Sequence, residues 1–328
     1  MRARCLPVIR FAAMCMLSLA GAHGAMAASD TSTAPVRLIV GFAPGGAADT
    51  VARLYAEALS HQGVNVIVDN RPGASMRISL EAARRAAPDG TTLLFGASPV
   101  FTIFPYTYKN LGYDPMKVFE PVAQLVDIPT SLVTGPDQPY NTLTEYVQWA
   151  RTHPDQATLG LATQGSSGHL GALALGKDIG VTFTPVAYKG GSPMLVDVAA
   201  NRTSIGWDAT ASMVPLYKSG KIKMLAMSGS KRLEQLPEVP TALEQGFNQF
   251  ENATSFYAVY APAGTPAATV ATLEKAFIDA AQNQELVRKL TEAGAVVAPA
   301  KGEQVTQRIR SEQKFWEPIV AQSGISFE

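Results

Sequence analysis

Short apolar runs recur along this chain, and each is followed by a stretch in which apolar residues return every third or fourth position. Leu38, Ile39 and Val40 lie in the first run, Val64 to Asn70 and Thr92 to Ala97 in the next two, with helical spacing over Ala47 to Leu59 and Met76 to Ala87 between them. Strands alternating with helices in this way predict parallel α/β sheets. Pro121 to Val133 is a longer β-leaning segment, long enough to carry the chain from one lobe into another. A second series follows. Helices are expected from Thr142 to Arg151, Ser167 to Lys177, Ser192 to Ala200 and Ser212 to Lys218, and strands at Thr158 to Ala162, Phe183 to Tyr188, Ser204 to Trp207 and Lys223 to Ser228. Ser255 to Tyr260 reads as a second crossing strand, after which three helices, Pro266 to Gln282, Gln284 to Ala293 and Gly302 to Gln322, complete the first lobe. The pattern predicts a hinged, two-lobed α/β protein: a discontinuous first lobe over 28–131 and 253–328, and a second lobe over 132–252.

The first 27 residues do not fit this pattern. Arg2, Arg4 and Arg10 make a basic start, Phe11 to Ala20 is apolar, and Ala25-Met26-Ala27 is a small-x-small site, so a secretory signal cut after Ala27 is expected. Removing 27 of the 328 residues leaves 301, enough for two domains with proper cores. Three of the 27 basic residues leave with the signal, so 24 face 27 acidic ones, a net charge of −3 without any basic run. Nucleic acid is therefore not an expected partner. Cys5 and Cys15 also lie in the leader, which leaves neither a disulfide nor a thiol nucleophile beyond it. No His, Cys or carboxylate pair shows metal-ligand spacing, and no cofactor is expected.

Four loops after strands concentrate the chemistry. Pro44-Gly45-Gly46-Ala47-Ala48-Asp49 joins a strand to a helix start, where unpaired N–H groups and the helix dipole favour a carboxylate or a phosphate. The alternative is a tight connection in which Asp49 merely complements the dipole. The run lacks the Gly-Lys-Ser/Thr of a phosphate-binding loop and the Gly-x-Gly-x-x-Gly of a dinucleotide site. Gln164 to Leu170 gathers amides, Ser166, Ser167 and His169 at another helix start; Ser166 or Ser167 as a simple cap and His169 as packing remain open. Tyr188-Lys189-Gly190-Gly191 repeats the device, and Trp207-Asp208 follows a further strand. Ligands of open α/β sheets sit beyond the carboxyl ends of the strands, so all four loops are expected at one crevice.

In order along the chain, R-L-I-V-G-F-A-P-G-G-A-A-D at 37–49, V-D-N-R-P-G-A at 68–74, A-A-P-D-G-T-T-L-L at 86–94, Y-D-P-M-K-V-F-E-P-V-A at 113–123, G-S-S-G-H-L at 165–170, V-A-Y-K-G-G-S-P at 186–193, L-P-E-V-P-T at 236–241 and A-P-A-G-T-P at 261–266 resemble the Bug-type periplasmic solute receptors of tripartite tricarboxylate transporters. The resemblance spans nearly the whole chain beyond the leader. It implies a type II, Venus-flytrap periplasmic-binding-protein fold that captures a small carboxylate and delivers it to integral membrane permease subunits, with the periplasm as location and a monomer as the expected state. By the same resemblance the turn with Ala43, Gly45, Gly46, Ala47, Ala48 and Asp49 holds one carboxylate, and Ser166, Ser167, His169 and the segment near Asp208 close over it.

Where the family continues with glycines and an asparagine after N-R-P-G-A, this chain has Ser75-Met76-Arg77-Ile78-Ser79. Arg77 is expected either to pair with a second ligand carboxylate or to bridge across its lobe. Specificity is expected between Arg77, Ser98 and the Gly165 to His169 helix start, with Lys189 nearby. Phe42, Phe101, Phe104, Trp207 and Phe256 are candidates either to sandwich a flat ligand ring or to pack the core. An aromatic and an aliphatic acid both remain open as ligand. Two other functions compete: a secreted α/β enzyme using His169 as general base, and a receptor that reports to a sensor protein.

Overall fold

The computed structural model describes residues 35–162, 165–188 and 191–328. The leader with its cut after Ala27, and Lys189, lie outside the described residues. The chain opens with β1 (Val36–Val40), α1 (Ala47–Ser60), β2 (Val66–Asn70), α2 (Arg77–Arg84) and β3 (Thr92–Ala97). Leu38 to Val40 are buried because β1 lies between β2 and β3, both parallel to it, and such a strand needs an unbroken apolar run. In α1, Val51, Ala52, Tyr55, Ala58 and Leu59 share the buried face, and the Tyr55 hydroxyl donates to Leu125 O at 3.0 Å.

Single-turn helices α3 (Pro99–Thr102), α4 (Phe104–Thr107) and α5 (Pro115–Val118) lead to β4 (Phe119–Ile128). The expected crossing segment is two strands rather than one. Pro129, with no N–H to give to a ladder, separates β4 from β5 (Thr130–Thr134), and the chain changes sheet there.

The second lobe continues through α6 (Leu143–Thr152), β6 (Thr158–Leu161), α7 (Ser167–Ile179), β7 (Thr184–Ala187), α8 (Gly191–Ala199), β8 (Ile205–Ala209), α9 (Thr210–Lys218) and β9 (Lys223–Met227). Thr142 caps α6 by accepting from Glu145 N. Then β10 (Ser255–Pro262) returns the chain, followed by α10 (Ala267–Ala280), α11 (Gln284–Glu292), β11 (Val296–Lys301) and α12 (Gly302–Ser323). One sheet has the order β11-β4-β10-β3-β1-β2 and the other β7-β6-β8-β5-β9. The α/β, two-lobed architecture with two crossing segments is as the sequence pattern predicts.

The pattern does not predict β11. This edge strand contains Pro299, and its register with β4 shifts between Val297 and Ala300, so it lacks a strand signature.

Hydroxyl groups knit the two crossings together. Thr130 N donates to Ser228 Oγ, which lies 2.9 Å from Thr254 Oγ1, and Thr130 Oγ1 donates to Ala253 O. Behind them Arg308 of α12 reaches Asp127 at 2.6 Å and Glu312 at 2.9 Å, and its guanidinium covers the Phe256 ring at 4.3 Å. Burial outweighs Arg308 and pushes the Glu312 carboxyl up to about 7. On the same side Trp316 and Val320 of α12 pack with Ile103 against Leu170 of α7.

Candidate functional site

Loops at the carboxyl ends of the strands meet in a cavity of about 570 Å³. Gly41 and Phe42 follow β1, Ala97 ends β3 and Pro99 lies just beyond it, Trp207 and Asp208 lie near the end of β8, and Ser166 to Gly168 open α7. Thr130, Ser255 and Tyr257 of the crossing strands form its floor. Depressions of about 630 and 780 Å³ lie elsewhere, but neither is lined by any of these strand-end loops.

The polar wall is the start of α7. Ser166 caps the helix, its Oγ accepting from His169 N at 3.2 Å, and Gly165 N donates to His169 Nδ1 at 3.1 Å. Burial lowers the His169 pKa and keeps the imidazole neutral. Ser167 Oγ donates to Ala253 O at 3.2 Å and lies 3.0 Å from Ser255 Oγ, which ties the helix start to the crossing strand. The first-turn amides of Ser167 and Gly168 are among those a helix leaves without an internal acceptor.

Beside them lies the indole of Trp207, stacked on Phe250 with centroids 4.6 Å apart. A Cβ on Gly168 would fall 2.5 Å from the indole Nε1, so only glycine permits this approach. Trp207 is 3% exposed and its N–H has no partner among the described residues. Leaving a buried donor unpaired costs about 1–3 kcal/mol, a cost that a ligand acceptor would remove.

Asp208 also lines the cavity. A Cβ on Gly191 would fall 2.1 Å from its Oδ2, which sets the carboxyl against the start of α8, and Ser212 Oγ donates to it at 3.3 Å. Burial raises its pKa against that hydrogen bond. Tyr257, buried next to Asp208, has its pKa raised by burial and by that charge, and so remains a protonated donor.

The first-lobe turn is placed differently from the sequence expectation. Only Gly41 and Phe42 reach the cavity, whereas Ala43, Gly45, Gly46, Ala47, Ala48 and Asp49 are not part of its lining. Asp49 is buried in its own turn: it accepts from Gly45 N at 2.9 Å, Arg53 Nε at 2.9 Å and Asn70 Nδ2 at 2.8 Å. Burial opposes its charge, but these donors outweigh burial and hold its pKa below the ordinary value.

Of the other expected residues, Ser98 is buried behind the cavity with its Oγ accepting from Phe256 N. His169 braces the α7 turn from behind and is not part of the lining. Arg77 is not part of the cavity lining; its guanidinium lies 4.9 Å over the Tyr108 ring and Nη1 donates to Glu328 O at 3.5 Å, a long-range contact to the last residue of the chain. Phe104 and Trp207 join Phe42 in the lining, while Phe101 and Phe256 are core, Phe101 stacked 4.0 Å from Tyr260.

Gly73, Ser75, Met76 and Tyr188, which sequence reasoning meets only as members of loops, line the cavity, as do Tyr108, Tyr257 and Phe327, which it passes over. Ala74, Ser75 and Met76 have φ of +46°, +50° and +70°, a left-handed run without glycine that costs roughly 1–2 kcal/mol per residue. This strain brings Met76 over Gly41, where a Cβ would fall 2.7 Å from Met76 Cγ.

No helix among the described residues is long and apolar enough to cross a membrane. The family model described as "Tripartite tricarboxylate transporter family receptor" matches residues 51–325. The structure of periplasmic binding protein BugD is similar at 30% identity, with a TM-score of 0.78, over 90% of this chain and 99% of that one. R. palustris Rpa4515 with adipate is similar at 32% identity and a TM-score of 0.82, over 90% and 99%. MatC from Rhodopseudomonas palustris with bound malate gives 30% and 0.76, over 87% and 98%.

Proposed function

Because this chain belongs to the tripartite tricarboxylate transporter receptor family, we propose that it captures a small carboxylate between its lobes in the periplasm and hands it to the membrane permease subunits of such a transporter. The observation that carries this reading is the α7 start, where Ser166, Ser167 and Gly168 line the cavity together with Trp207, whose buried N–H lies against Gly168 without a partner among the described residues. Among the described residues no Lys or Arg lines the cavity, and the neutral donors and helix dipole at the α7 start are what favour an anion there. The adipate and malate of two similar structures are acids of this class. Phe42, Ser166, Ser167 and Asp208 contact the ligand, with Asp208 facing a hydroxyl or amine group on it rather than its carboxylate.

Closure moves residues 28–131 with 253–328 against 132–252, the hydroxyl lattice at Thr130, Ser228 and Thr254 serving as hinge. The ligand drives closure because each lobe alone offers it only part of its contacts. In this reading the chain acts as a monomeric receptor and not as an enzyme, which is supported by His169, the expected base, accepting from Gly165 N through Nδ1 and lying outside the lining.

Thermal-shift screening of residues 28–328 against mono-, di- and tricarboxylates tests this. A true ligand at a hundred times its Kd adds about 2.7 kcal/mol of stability and raises the melting temperature visibly. If no acid raises it, the receptor reading fails; if the acid is consumed, the enzyme reading replaces it.

A further inference from the structure

Residues after α12 return to the cavity. Phe327 N donates to Thr107 O at 2.7 Å and Lys109 N donates to Phe327 O at 3.0 Å, a parallel bridge between Tyr108 and Phe327. An ion pair of Lys109 with Glu328 at 2.9 Å closes the clip. The segment is therefore held to the first lobe by backbone bonds as well as by the packing of the Phe327 ring.

The ring itself reaches across to the second lobe. Its centroid is 5.3 Å from that of Tyr108 on the first lobe, and its other side meets Gly165, where a Cβ would fall 2.7 Å from the ring. Gly165 has a φ of +74° and directly precedes the Ser166 cap of α7. Phe327 thus spans the gap between the clip and the proposed carboxylate-binding helix start. Phe42, Tyr108 and Tyr257 from the first lobe's chain and Tyr188 and Trp207 from the second line the same cavity.

We infer that Phe327 is a specificity-determining wall of the cavity, selecting a carboxylate whose body is a flat ring. This rests on the carboxylate-receptor reading above and adds the ligand class and the residue that sets it. A planar body offers edges and faces to rings on both lobes, an interaction that a flexible chain of similar volume does not make. A flexible chain also loses rotamer freedom when enclosed, whereas a ring does not. The Phe327 contact with Gly165 joins the lobes, so the wall is complete only when they are closed.

Calorimetric titration of residues 28–328 with benzoate, benzene-1,4-dicarboxylate and hexanedioate tests this, on the native sequence and on Phe327→Ala and Phe327→Leu. The leucine variant keeps apolar bulk at the clip without a flat face, and the melting temperature of each unliganded variant checks folding. The native protein is expected to bind at least one ring acid more tightly than hexanedioate. Both variants should then weaken ring-acid binding by about fivefold while changing hexanedioate less than twofold. Equal weakening of all acids, no change with any, or a native preference for hexanedioate would overturn the inference and leave the receptor reading standing. If the native protein binds none of these acids but binds another carboxylate, the ring preference falls alone. Absence of binding to every carboxylate tried removes both.

Discussion

In the first-lobe turn the Gly45 amide donates to the Asp49 carboxylate at 2.9 Å, and in the second-lobe turn the Gly165 amide donates to Nδ1 of His169 at 3.1 Å. Each turn follows a strand, starts a helix, and is braced by a side chain four residues beyond a glycine. The braces differ in charge. Asp49 stays ionised, so the first helix start already holds an anion, whereas the neutral imidazole of His169 leaves the dipole of α7 uncompensated. The turn with the neutral brace is also the one that lines the cavity. Glycine turns before helices are thus interchangeable in sequence pattern, and under the proposed reading it is the charge of the brace that distinguishes the turn that receives an anion.

The largest expected effect comes from making the second turn resemble the first. His169→Asp should weaken carboxylate binding by roughly thirtyfold or more, because like charges set against each other cost several kcal/mol. Asp49→Asn, which keeps an acceptor for Gly45, should change the same Kd by less than about threefold while lowering stability through loss of the Arg53 pair. Comparable losses in both variants, read by calorimetry, would erase the distinction between the turns.

Next in size is Trp207→Phe. It removes the unpartnered N–H together with part of the buried indole, and should cost about fivefold to tenfold in affinity while also lowering the melting temperature of the free protein, because the indole packs on Phe250. A smaller effect concerns the strained loop between the turns. Ala74→Gly and Ser75→Gly should each raise the unfolding free energy by up to about 1 kcal/mol in urea titration, since glycine adopts positive φ without steric cost.

The two braces also separate in pH. Folding depresses the His169 pKa below its ordinary 6.5, so the folded state binds fewer protons and stability is lost as pH falls below that value. Folding also depresses the Asp49 pKa below its ordinary 3.8, so its contribution survives until pH falls below that value. Urea midpoints between pH 7 and 5 should therefore decline less in His169→Gln than in the native sequence, whereas in Asp49→Asn they start lower but decline by the same amount as in the native sequence.

The two series of strands and helices are legible in the sequence because strands buried on both faces require apolar runs, as in Leu38 to Val40 and Leu93 to Phe95. The strand Val296–Lys301 is not, since Pro299 and a register shift on a sheet edge hide it. The glycine turns are legible for the same reason that they are ambiguous: a glycine before a helix marks the geometry but not the direction of the amides. The left-handed Ala74 to Met76 run is invisible because none of these residues favours that conformation; tertiary contacts such as Met76 on Gly41 and the hydrogen bond of Ser79 Oγ to Met76 O accompany it. Phe327 reaches the site from beyond the last helix, a placement that depends on its bridge to Tyr108 and on no local signal.

The most direct measurement of the claim that the α7 start receives the carboxylate is the indole N–H spectrum of ¹⁵N-labelled protein during titration with an acid that raises its melting temperature. The chain has three tryptophans, Trp149, Trp207 and Trp316, and Trp207→Phe assigns the relevant signal. The Trp207 N–H should move downfield with saturating acid while Trp149 and Trp316 stay in place. A Trp207 signal that remains unmoved at saturation would contradict the claim.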